Sequence, residues 1–246
     1  MLAAQRRDLL LERLRTDGRI VAKDLALEVG ISEDTIRRDL RELAAAGLCQ
    51  RVYGGALPVS PAIADYATRQ DVSVDGKQRV ARAAAKLIEP GATVILDGGT
   101  TTLAVVRALP LELEATVVTH SPTIASALEA HRNVEVYVIG GRLFKHSMVA
   151  CGAAAVEAAR LVHADLFLLG VTGVHPEAGL TTGDADEAAM KRALARQAAD
   201  TYVLASSEKI GAASRFGVLP FSEVAGVVTD ADNALVQALE VPLIRA

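Results

Sequence analysis

Three stretches near the beginning of the chain carry apolar residues at helical spacing. They are residues 6–15, 22–29 and 32–46. In the third stretch, Ile36, Leu40 and Leu43 follow one another after four and then three residues, so they share one face at about 100° per residue. The pattern therefore predicts three short helices, each with an apolar stripe facing a core.

The third predicted helix also has a basic face. Arg37, Arg38 and Arg41 point roughly away from its apolar stripe. Ser32 is a suitable N-cap, and the two acids that follow it suit the positive end of the helix dipole. Taken alone, such a helix is most simply a charged surface helix in contact with solvent.

The segments on either side of this helix favour a more specific interpretation. Gly30-Ile31 supplies a tight turn from the preceding short helix. Two short helices joined by a glycine-containing turn are typical of a helix-turn-helix, whose second helix enters the major groove of DNA. Gly47 can end the second helix, and residues 48–57 predict a hairpin around Gly54-Gly55. Three helices and a hairpin together predict a winged helix-turn-helix.

From Lys77 onward, short apolar runs alternate with alanine-rich segments. The runs suited to buried strands are residues 93–96, 116–118, 134–139, 165–171, 201–205 and 224–228. The predicted helices are residues 80–88, 102–109, 124–130, 153–161, 187–199 and 234–239. Near-continuous apolar strands separated by helices indicate a mostly parallel sheet covered on both faces.

The fold class expected for the chain is therefore α/β, with two domains. A small winged helix-turn-helix domain occupies residues 1–57, and an open α/β domain occupies residues 77–246. Residues 58–76, where prolines, serines and acids interrupt the periodicity, are interpreted as the linker.

The residues that follow each predicted strand are small, hydroxylated or glycine-rich. Because ligands of open α/β sheets bind beyond the carboxyl ends of the strands, these residues are candidates for a binding site. They are residues 97–102, 119–121, 140–141, 172–173, 206–207 with Lys209 close behind, and 229–230.

The first of these segments, Asp97-Gly98-Gly99-Thr100-Thr101-Thr102, carries the clearest chemical signal. Its glycines let the backbone approach a ligand, its hydroxyls can donate, and the helix that follows presents free amides, which together suit an anion such as phosphate. A strand-to-helix turn with glycine for steric reasons alone is an equal alternative. Neither a Walker A sequence nor a dinucleotide fingerprint is present, so nucleotide binding is disfavoured.

The N-terminal motif resembles that of a known family of bacterial regulators. Ser-x-x-Thr-Ile-Arg-Arg-Asp-Leu at residues 32–40, followed by Leu43, Gly47, Arg51 and Gly54-Gly55-Ala56, is similar to the signature of the deoxyribose-operon-repressor (DeoR) family. The resemblance implies a repressor that binds double-stranded operator DNA as a homo-oligomer, either a dimer or a tetramer. The candidate DNA contacts are Ser32, Thr35, Arg37, Arg38, Arg41, Arg51, Tyr53 and Gly54.

The second half of the chain is similar to the effector domain of the same family, whose fold resembles ribose-5-phosphate isomerase. The matching segments are residues 97–102, 119–121, 140–141, 170–174 and 209–211. The resemblance implies a phosphorylated sugar as effector, with its phosphate on residues 98–102, its hydroxyls on Asp97 and its charge offset by Lys209. The candidate effector contacts are Asp97, Gly98, Gly99, Thr100, Thr101, Thr102, Thr119, His120, Ser121, Gly140, Gly141, Gly173 and Lys209.

Three departures from the family pattern bear on which sugar is held. His120 stands where the family usually has Asn, Ser206 where it usually has Asp, and Glu208 where it usually has Ser. Two alternative functions remain, namely a sugar-phosphate isomerase-like enzyme and a ligand-blind oligomeric regulator. Because isomerases need a general base, and residues 170–173 carry no acid where isomerases of this fold have one, we expect no enzyme activity.

Composition and charge change this picture little. With 246 residues, 51% hydrophobic content and a mean hydropathy of +0.28, the chain can bury one large and one small core. The net charge is −4, and residues 1–57 hold ten Lys or Arg against nine Asp or Glu. DNA binding would therefore depend on where the arginines point rather than on total charge. No apolar run approaches membrane-spanning length, so we expect a soluble cytoplasmic protein.

The remaining reactive side chains have simple interpretations. Asp184, Asp186 and Glu187 are acids at the start of a helix, and Glu187 can pair with Lys191. Cys49 and Cys151 are interpreted as small buried hydrophobes. The histidines lack the mutual spacing of a metal site, and only His120 falls at a strand end in the expected crevice. No metal or cofactor is expected.

Overall fold

The computed structural model describes residues 2–246, and its N-terminal part is a winged helix-turn-helix. Its elements are α1 (Ala3–Asp17), β1 (Ile20–Val21), α2 (Ala22–Val29), α3 (Glu33–Ala45), β2 (Gln50–Val52) and β3 (Gly55–Leu57). The hairpin β2–β3 forms the wing, and β1 adds a third strand to it that the hydrophobic pattern did not predict. The three helices and the hairpin expected from the sequence are confirmed.

The three helices enclose a small apolar core of their own. Leu10 from α1 and both Ile36 and Leu40 from α3 are fully buried in it. Arg6 of α1 forms a buried ion pair with Asp39 of α3. The acid of the Arg-Arg-Asp motif therefore attaches α3 to α1, while the arginines beside it stay exposed.

The segment interpreted as the linker contains regular structure. A short 3-10 turn (Pro61–Ile63) and helix α4 (Tyr66–Gln70) lie within it, and α5 (Val74–Ala85) begins six residues before the predicted helix. Gly76 lies in the first turn of α5, where a Cβ would lie 2.7 Å from a carboxylate oxygen of Asp230. A residue that resembles a turn signal in the sequence thus allows a close approach inside a helix.

Strands and helices alternate through the rest of the chain. In order they are β4 (Thr93–Leu96), α6 (Thr100–Ala108), β5 (Ala115–Thr119), α7 (Pro122–Ala127), β6 (Val134–Val138), β7 (Arg142–Phe144), β8 (Val149–Cys151), α8 (Ala153–Ala159), β9 (Ala164–Gly170), β10 (Gly173–His175), β11 (Gly179–Thr182), α9 (Ala185–Ala195), β12 (Ala198–Leu204), β13 (Phe216–Gly217), β14 (Gly226–Thr229), α10 (Ala234–Gln237) and β15 (Leu243–Arg245).

Seven of these strands form one parallel sheet in the order β15-β14-β12-β9-β4-β5-β6. Successive side chains of a strand point to opposite faces, so Phe167 and Leu169 of β9 enter one core and Leu168 enters the other. Both faces are covered, as the near-continuous apolar strands predicted. The carboxyl end of β4 lies between those of β9 and β5, which places the segment after Leu96 near the middle of the sheet edge.

The structure corrects the prediction in three places. Residues 198–199, predicted as the end of a helix, belong to β12, because Ala198 pairs with Ala164 of β9 and this pairing overrides the helical propensity of alanine. Strand β15 at the sheet edge was not predicted. Two small antiparallel sheets, formed by β7–β8 and by β10–β11–β13, were also missed. Between Leu2 and Ala246, no helix is long and apolar enough to cross a membrane.

Candidate functional site

A small polar cavity lies beyond the carboxyl ends of β4 and β9. Residues 98–102, which follow β4, and residues 170–172, at the end of β9, line it together with side chains from α4, α5 and α9. Its free volume is about 20 Å³, which is room for one water molecule. Its charged lining residues are Arg69, Lys77, Glu187, Lys191, Glu208 and Lys209.

The two glycines of the 97–102 segment each have a structural reason to be glycine. A Cβ on Gly98 would lie 2.1 Å from a methyl carbon of Val149, and Gly99 has a φ of 110°, which L side chains rarely adopt. Gly99 is also the N-cap of α6, whose first turn carries Thr100, Thr101 and Thr102. Steric demand therefore explains the glycines, and the evidence for a ligand has to come from the side chains around them.

Three cations around this segment have no carboxylate partner within ion-pair distance among residues 2–246. Lys209 donates to Thr101 Oγ1 at 3.1 Å and to the carbonyl of Leu204 at 3.3 Å. Lys77 donates to the carbonyl of Arg69. The side chain of Arg69 donates to the carbonyl of His146 at 3.3 Å, while its Nε is buried without a hydrogen-bond partner.

Burial lowers the pKa of all three cations, and it lowers the pKa of Lys209 to about 8. The charge of Glu208, which also lines the cavity, raises the pKa values of Lys77 and Lys209, but by less than burial lowers them. One carboxylate oxygen of Glu208 is buried without a hydrogen-bond partner. The cavity thus holds an excess of buried positive charge together with one free acceptor, and an anion would relieve the cost of burying that charge.

Asp97 does not face the cavity, contrary to the expectation that it would bind sugar hydroxyls. Its carboxylate is fully buried and accepts hydrogen bonds from the amides of Gly98 and Gly170, each at 2.8 Å. It also contacts His120 Nε2 at 2.8 Å and the ammonium of Lys191. Burial raises the pKa of Asp97, but Lys191 and His120 outweigh burial and hold this pKa well below its usual range. With both oxygens occupied, Asp97 supports the site from beneath.

His120 is likewise a supporting residue and not a wall of the cavity. It is fully buried, and its Nδ1 lies 2.8 Å from the carbonyl of Ala150 in β8. Ser121, next to it, donates to the carbonyl of Met148 at 2.9 Å, and the hydroxyl of Thr119 accepts from the amide of Ser121. Residues 119–121 therefore attach the β7–β8 hairpin to the end of β5.

The structure brings only part of the candidate effector set to the cavity. The residues that line it are Gly98, Gly99, Thr100, Thr101, Thr102 and Lys209. Gly140 and Gly141 are exposed at the beginning of β7, outside the lining. Gly173 lies in β10, where a Cβ would be 2.5 Å from the carbonyl oxygen of Ala212. For these last three glycines the structure supplies no contact with the cavity.

Several lining residues were missed or interpreted otherwise. Arg69 and Lys77 belong to a stretch assigned to the linker and its border, and nothing in the hydrophobic pattern indicated that they are buried. Glu187 was interpreted as a helix-start acid that pairs with Lys191, and the pair is present at 3.3 Å. Asp184 caps α9 by accepting from the amide of Glu187. Glu187 nevertheless also lines the cavity.

The candidate DNA contacts lie on the exposed side of α3 and on the wing. Ser32 caps α3 by accepting from the amide of Thr35. Arg37 forms an ion pair with Glu33 of its own helix at 2.6 Å, whereas Arg38 is exposed without an ion-pair partner in the described part of the chain. Tyr53 is fully exposed at the tip of the wing beside Gly54, with Arg51 exposed on β2.

Two family models match these two regions. One, described as "DeoR C terminal sensor domain", matches residues 72–231. The other, described as "DeoR-like helix-turn-helix domain", matches residues 6–62. The chain belongs to the DeoR family. Residues 6–62 of this DeoR-family protein therefore belong to a DNA-binding domain, and the protein is a transcriptional regulator rather than an enzyme.

Curated relatives agree over nearly the whole length of this DeoR-family chain. It is 35% identical to the HTH-type transcriptional regulator GlpR of Haloferax volcanii, covering 94% of this chain and 91% of the relative. It is 31% identical to the HTH-type transcriptional repressor GlcR of Bacillus subtilis, covering 90% and 86%. It is 29% identical to the glycerol-3-phosphate regulon repressor of Escherichia coli, covering 94% and 92%.

Among solved structures, ribose 5-phosphate isomerase A of Methanocaldococcus jannaschii aligns with a TM-score of 0.42 and 18% identity. That alignment covers 55% of this chain and 54% of the isomerase.

The interpretation of the two cysteines as small buried residues agrees with the structure. Cys49 and Cys151 are buried, and burial raises the pKa of the Cys151 thiol to about 12. Within residues 2–246, no three His, Cys, Asp or Glu side chains are grouped so that they could hold a metal ion.

Replacing Asp97 should destabilise the sheet domain. In Asp97→Asn, Lys191 loses its strongest partner while it stays buried, so the free energy of unfolding should fall by about 3 kcal/mol at neutral pH. Urea unfolding followed by circular dichroism measures this difference. Because the folded-state pKa of Asp97 is lowered, the contribution is present above the pKa of the unfolded chain, near 4, and shrinks as the pH falls below it.

The exposed Asp232, which pairs with Arg245, supplies the matched control. Asp232→Asn should leave the unfolding midpoint nearly unchanged. Equal stability of Asp97→Asn and the wild type at pH 7 would contradict the structural role of Asp97.

Proposed function

We propose that this DeoR-family chain represses genes of carbohydrate metabolism, and that a phosphorylated sugar bound in the cavity controls its affinity for operator DNA. The observation that carries the effector part is the excess of buried positive charge around residues 98–102. Arg69, Lys77 and Lys209 lie there without a carboxylate in ion-pair contact. The similarity to the glycerol-3-phosphate regulon repressor of Escherichia coli supports the gene class.

A phosphate group suits this cavity better than a neutral sugar would. The first turn of α6 presents its free amides and the Thr101 hydroxyl beside Lys209, and helix N-termini favour anions. Charge-assisted hydrogen bonds from the three cations would hold a dianion strongly. The carboxylate oxygen of Glu208 that has no partner would accept a hydrogen bond from a hydroxyl group of the same ligand.

On the DNA side, the exposed face of α3 would enter the major groove and the wing would reach the adjacent backbone or minor groove. Arg38 and Arg41 are exposed on that face, and Arg-rich contacts make affinity strongly dependent on salt. One recognition helix reads only a few base pairs, so we place the protein on repeated half-sites as a dimer or tetramer in the cytoplasm.

A direct test uses the full chain and a labelled DNA fragment from the region upstream of its own gene. Fluorescence anisotropy is measured at two salt concentrations and then with a panel of sugar phosphates, each beside its unphosphorylated sugar. Salt-sensitive binding that only one phosphorylated compound reverses is the expected result. DNA binding that no compound changes would refute control by a sugar phosphate. The same panel in an isomerase assay would show product formation if the protein were an enzyme.

Arg38→Ala should weaken operator binding by about 1–3 kcal/mol if the guanidinium contacts a base, because its side chain is free to reach the groove. Arg37→Ala should cost less, since Glu33 already engages that guanidinium. Anisotropy titrations on operator and scrambled DNA measure both effects, with Arg132→Ala on the sheet domain as control. An Arg38→Ala variant with wild-type affinity and sequence preference would remove Arg38 from the interface.

The affinity for a phosphate ligand should fall as the pH rises through 8. Lys209 has a pKa of about 8 and loses its charge above that value, whereas a phosphate monoester stays a dianion because its second pKa is about 6. Between pH 7 and 9, the affinity should drop by up to about tenfold. Calorimetry at constant ionic strength measures this, and Lys209→Arg, which stays charged, should give a shallower profile. Equal slopes in both proteins would show that Lys209 is not the titrating group.

A further inference from the structure

The residues that join the two domains form one wall of the cavity. We call residues 58–77 the connecting segment; it begins directly after the wing strand β3 and ends in the first turn of α5. Four of its side chains line the cavity, namely Ala62, Arg69, Val72 and Lys77. A ligand in this cavity therefore touches the sheet domain on one side and the connecting segment on the other.

Two places attach the connecting segment to the sheet domain by hydrogen bonds. At its start the amide of Ala213 donates to the carbonyl of Pro58 at 3.4 Å, and further along it meets one exposed residue, His146, in the turn of the β7–β8 hairpin. The amide of Tyr66 donates to the carbonyl of His146 at 2.9 Å, and Arg69 donates to the same carbonyl. The ring Nε2 of His146 lies 3.0 Å from the carbonyl of Ile63. No ion pair joins residues 58–77 to the β7–β8 hairpin, so neutral acceptors hold this part of the segment.

The cavity side of the segment carries two cations that no carboxylate of the described chain contacts at ion-pair distance. Arg69 is 9% exposed, and its Nε has no partner. Lys77 is 4% exposed, and its ammonium donates only to the backbone carbonyl of Arg69. Burying a cation without an ion-pair partner costs free energy. An anion that contacts Arg69 and Lys77 therefore stabilises the position of the segment in which this contact is made.

The space available also links the ligand to the segment. The cavity beside residues 98–102 has a free volume of about 20 Å³, too small for a sugar phosphate. A second cavity of about 270 Å³ adjoins it, and Ala62, Ser147, Thr172 and Glu187 line both. A ligand with its anion in the first cavity and its body in the second would contact Ala62 of the connecting segment at the border, and a shift of the segment would widen the first cavity.

We propose that Arg69 and Lys77 bind the effector anion directly and that the connecting segment is the element through which the effector acts on the DNA-binding domain. This inference rests on the proposed anion site. The segment has two positions, one without ligand and one drawn onto the anion, and the ligand shifts the balance between them by its different affinity for each. Pro58 directly follows β3, so a shift of the segment that also moves the contact between Pro58 and Ala213 would be passed to the wing.

Hydrogen–deuterium exchange on the full chain tests this with inorganic phosphate as the probe and chloride at equal ionic strength as the reference. Phosphate should slow amide exchange both in residues 98–102 and in residues 60–77. Slower exchange in residues 98–102 with no change in residues 60–77 would overturn the inference and leave the anion site standing. No change in either region would refute the anion site itself.

Substitutions separate the two sides of the cavity. Arg69→Gln and Lys77→Gln should each weaken phosphate binding about tenfold in calorimetry, because each removes a charged hydrogen bond. Lys209→Gln should weaken it similarly from the sheet side, and Arg82→Gln, exposed on α5, should not. If only Lys209→Gln weakened binding, the connecting segment would not be part of the site. Arg69→Lys keeps the charge and should recover part of the affinity.

A second route between the domains can be tested in the same assays. Arg19 of the DNA-binding domain pairs with Glu177 at the tip of the β10–β11 hairpin at 2.6 Å, and both side chains are exposed. Glu177→Gln should leave unchanged both phosphate binding and the exchange response of residues 60–77. If Glu177→Gln abolished the response of residues 60–77, the connecting segment would not be the element that responds directly to the ligand.

Discussion

The buried carboxylate of Asp97 is the interaction on which the arrangement of the sensor domain depends. It directly follows β4, which lies between β9 and β5 in the sheet. Its partners come from four places: its own loop, the end of β9, α9 and the segment after β5. A buried charge is tolerated only where such partners surround it. The loop of residues 98–102 therefore has a fixed direction, and so has the N-terminus of α6.

This network also decides which charges are left over. Lys191 is completely occupied by Asp97 and Glu187, which raise its pKa against the effect of burial. Lys209, Lys77 and Arg69 have no such partners, and burial lowers their pKa values. Four buried cations thus separate into one that is structural and three that are available to a ligand. The same distinction applies in the DNA-binding domain, where Arg6 is used by Asp39 and Arg38 is free.

The position of the three available cations is what connects them to function in our proposal. Two of the three available cations are on the chain that leads to the wing, and the third is on the sheet domain. An anion between these cations would contact the connecting segment and the sheet domain at once. Its binding free energy could then favour one relative position of these two parts over another. No long pathway through the core is needed for the DNA-binding domain to respond.

The sequence by itself determined the elements whose signals are local. The helical stripe of Ile36, Leu40 and Leu43, the cap at Ser32 and the apolar strands of the sheet depend on residues close together in the chain, and all are present as predicted. The prediction that residues 97–102 suit an anion likewise rests on one hexapeptide, and it stays a prediction. Tertiary structure alone decided the roles of Asp97 and His120, the burial of Arg69 and Lys77 and the strand at residues 198–199. Each of these depends on partners distant in sequence, such as Lys191 for Asp97 and Ala164 for Ala198. Hydrophobic periodicity carries no information about such pairings.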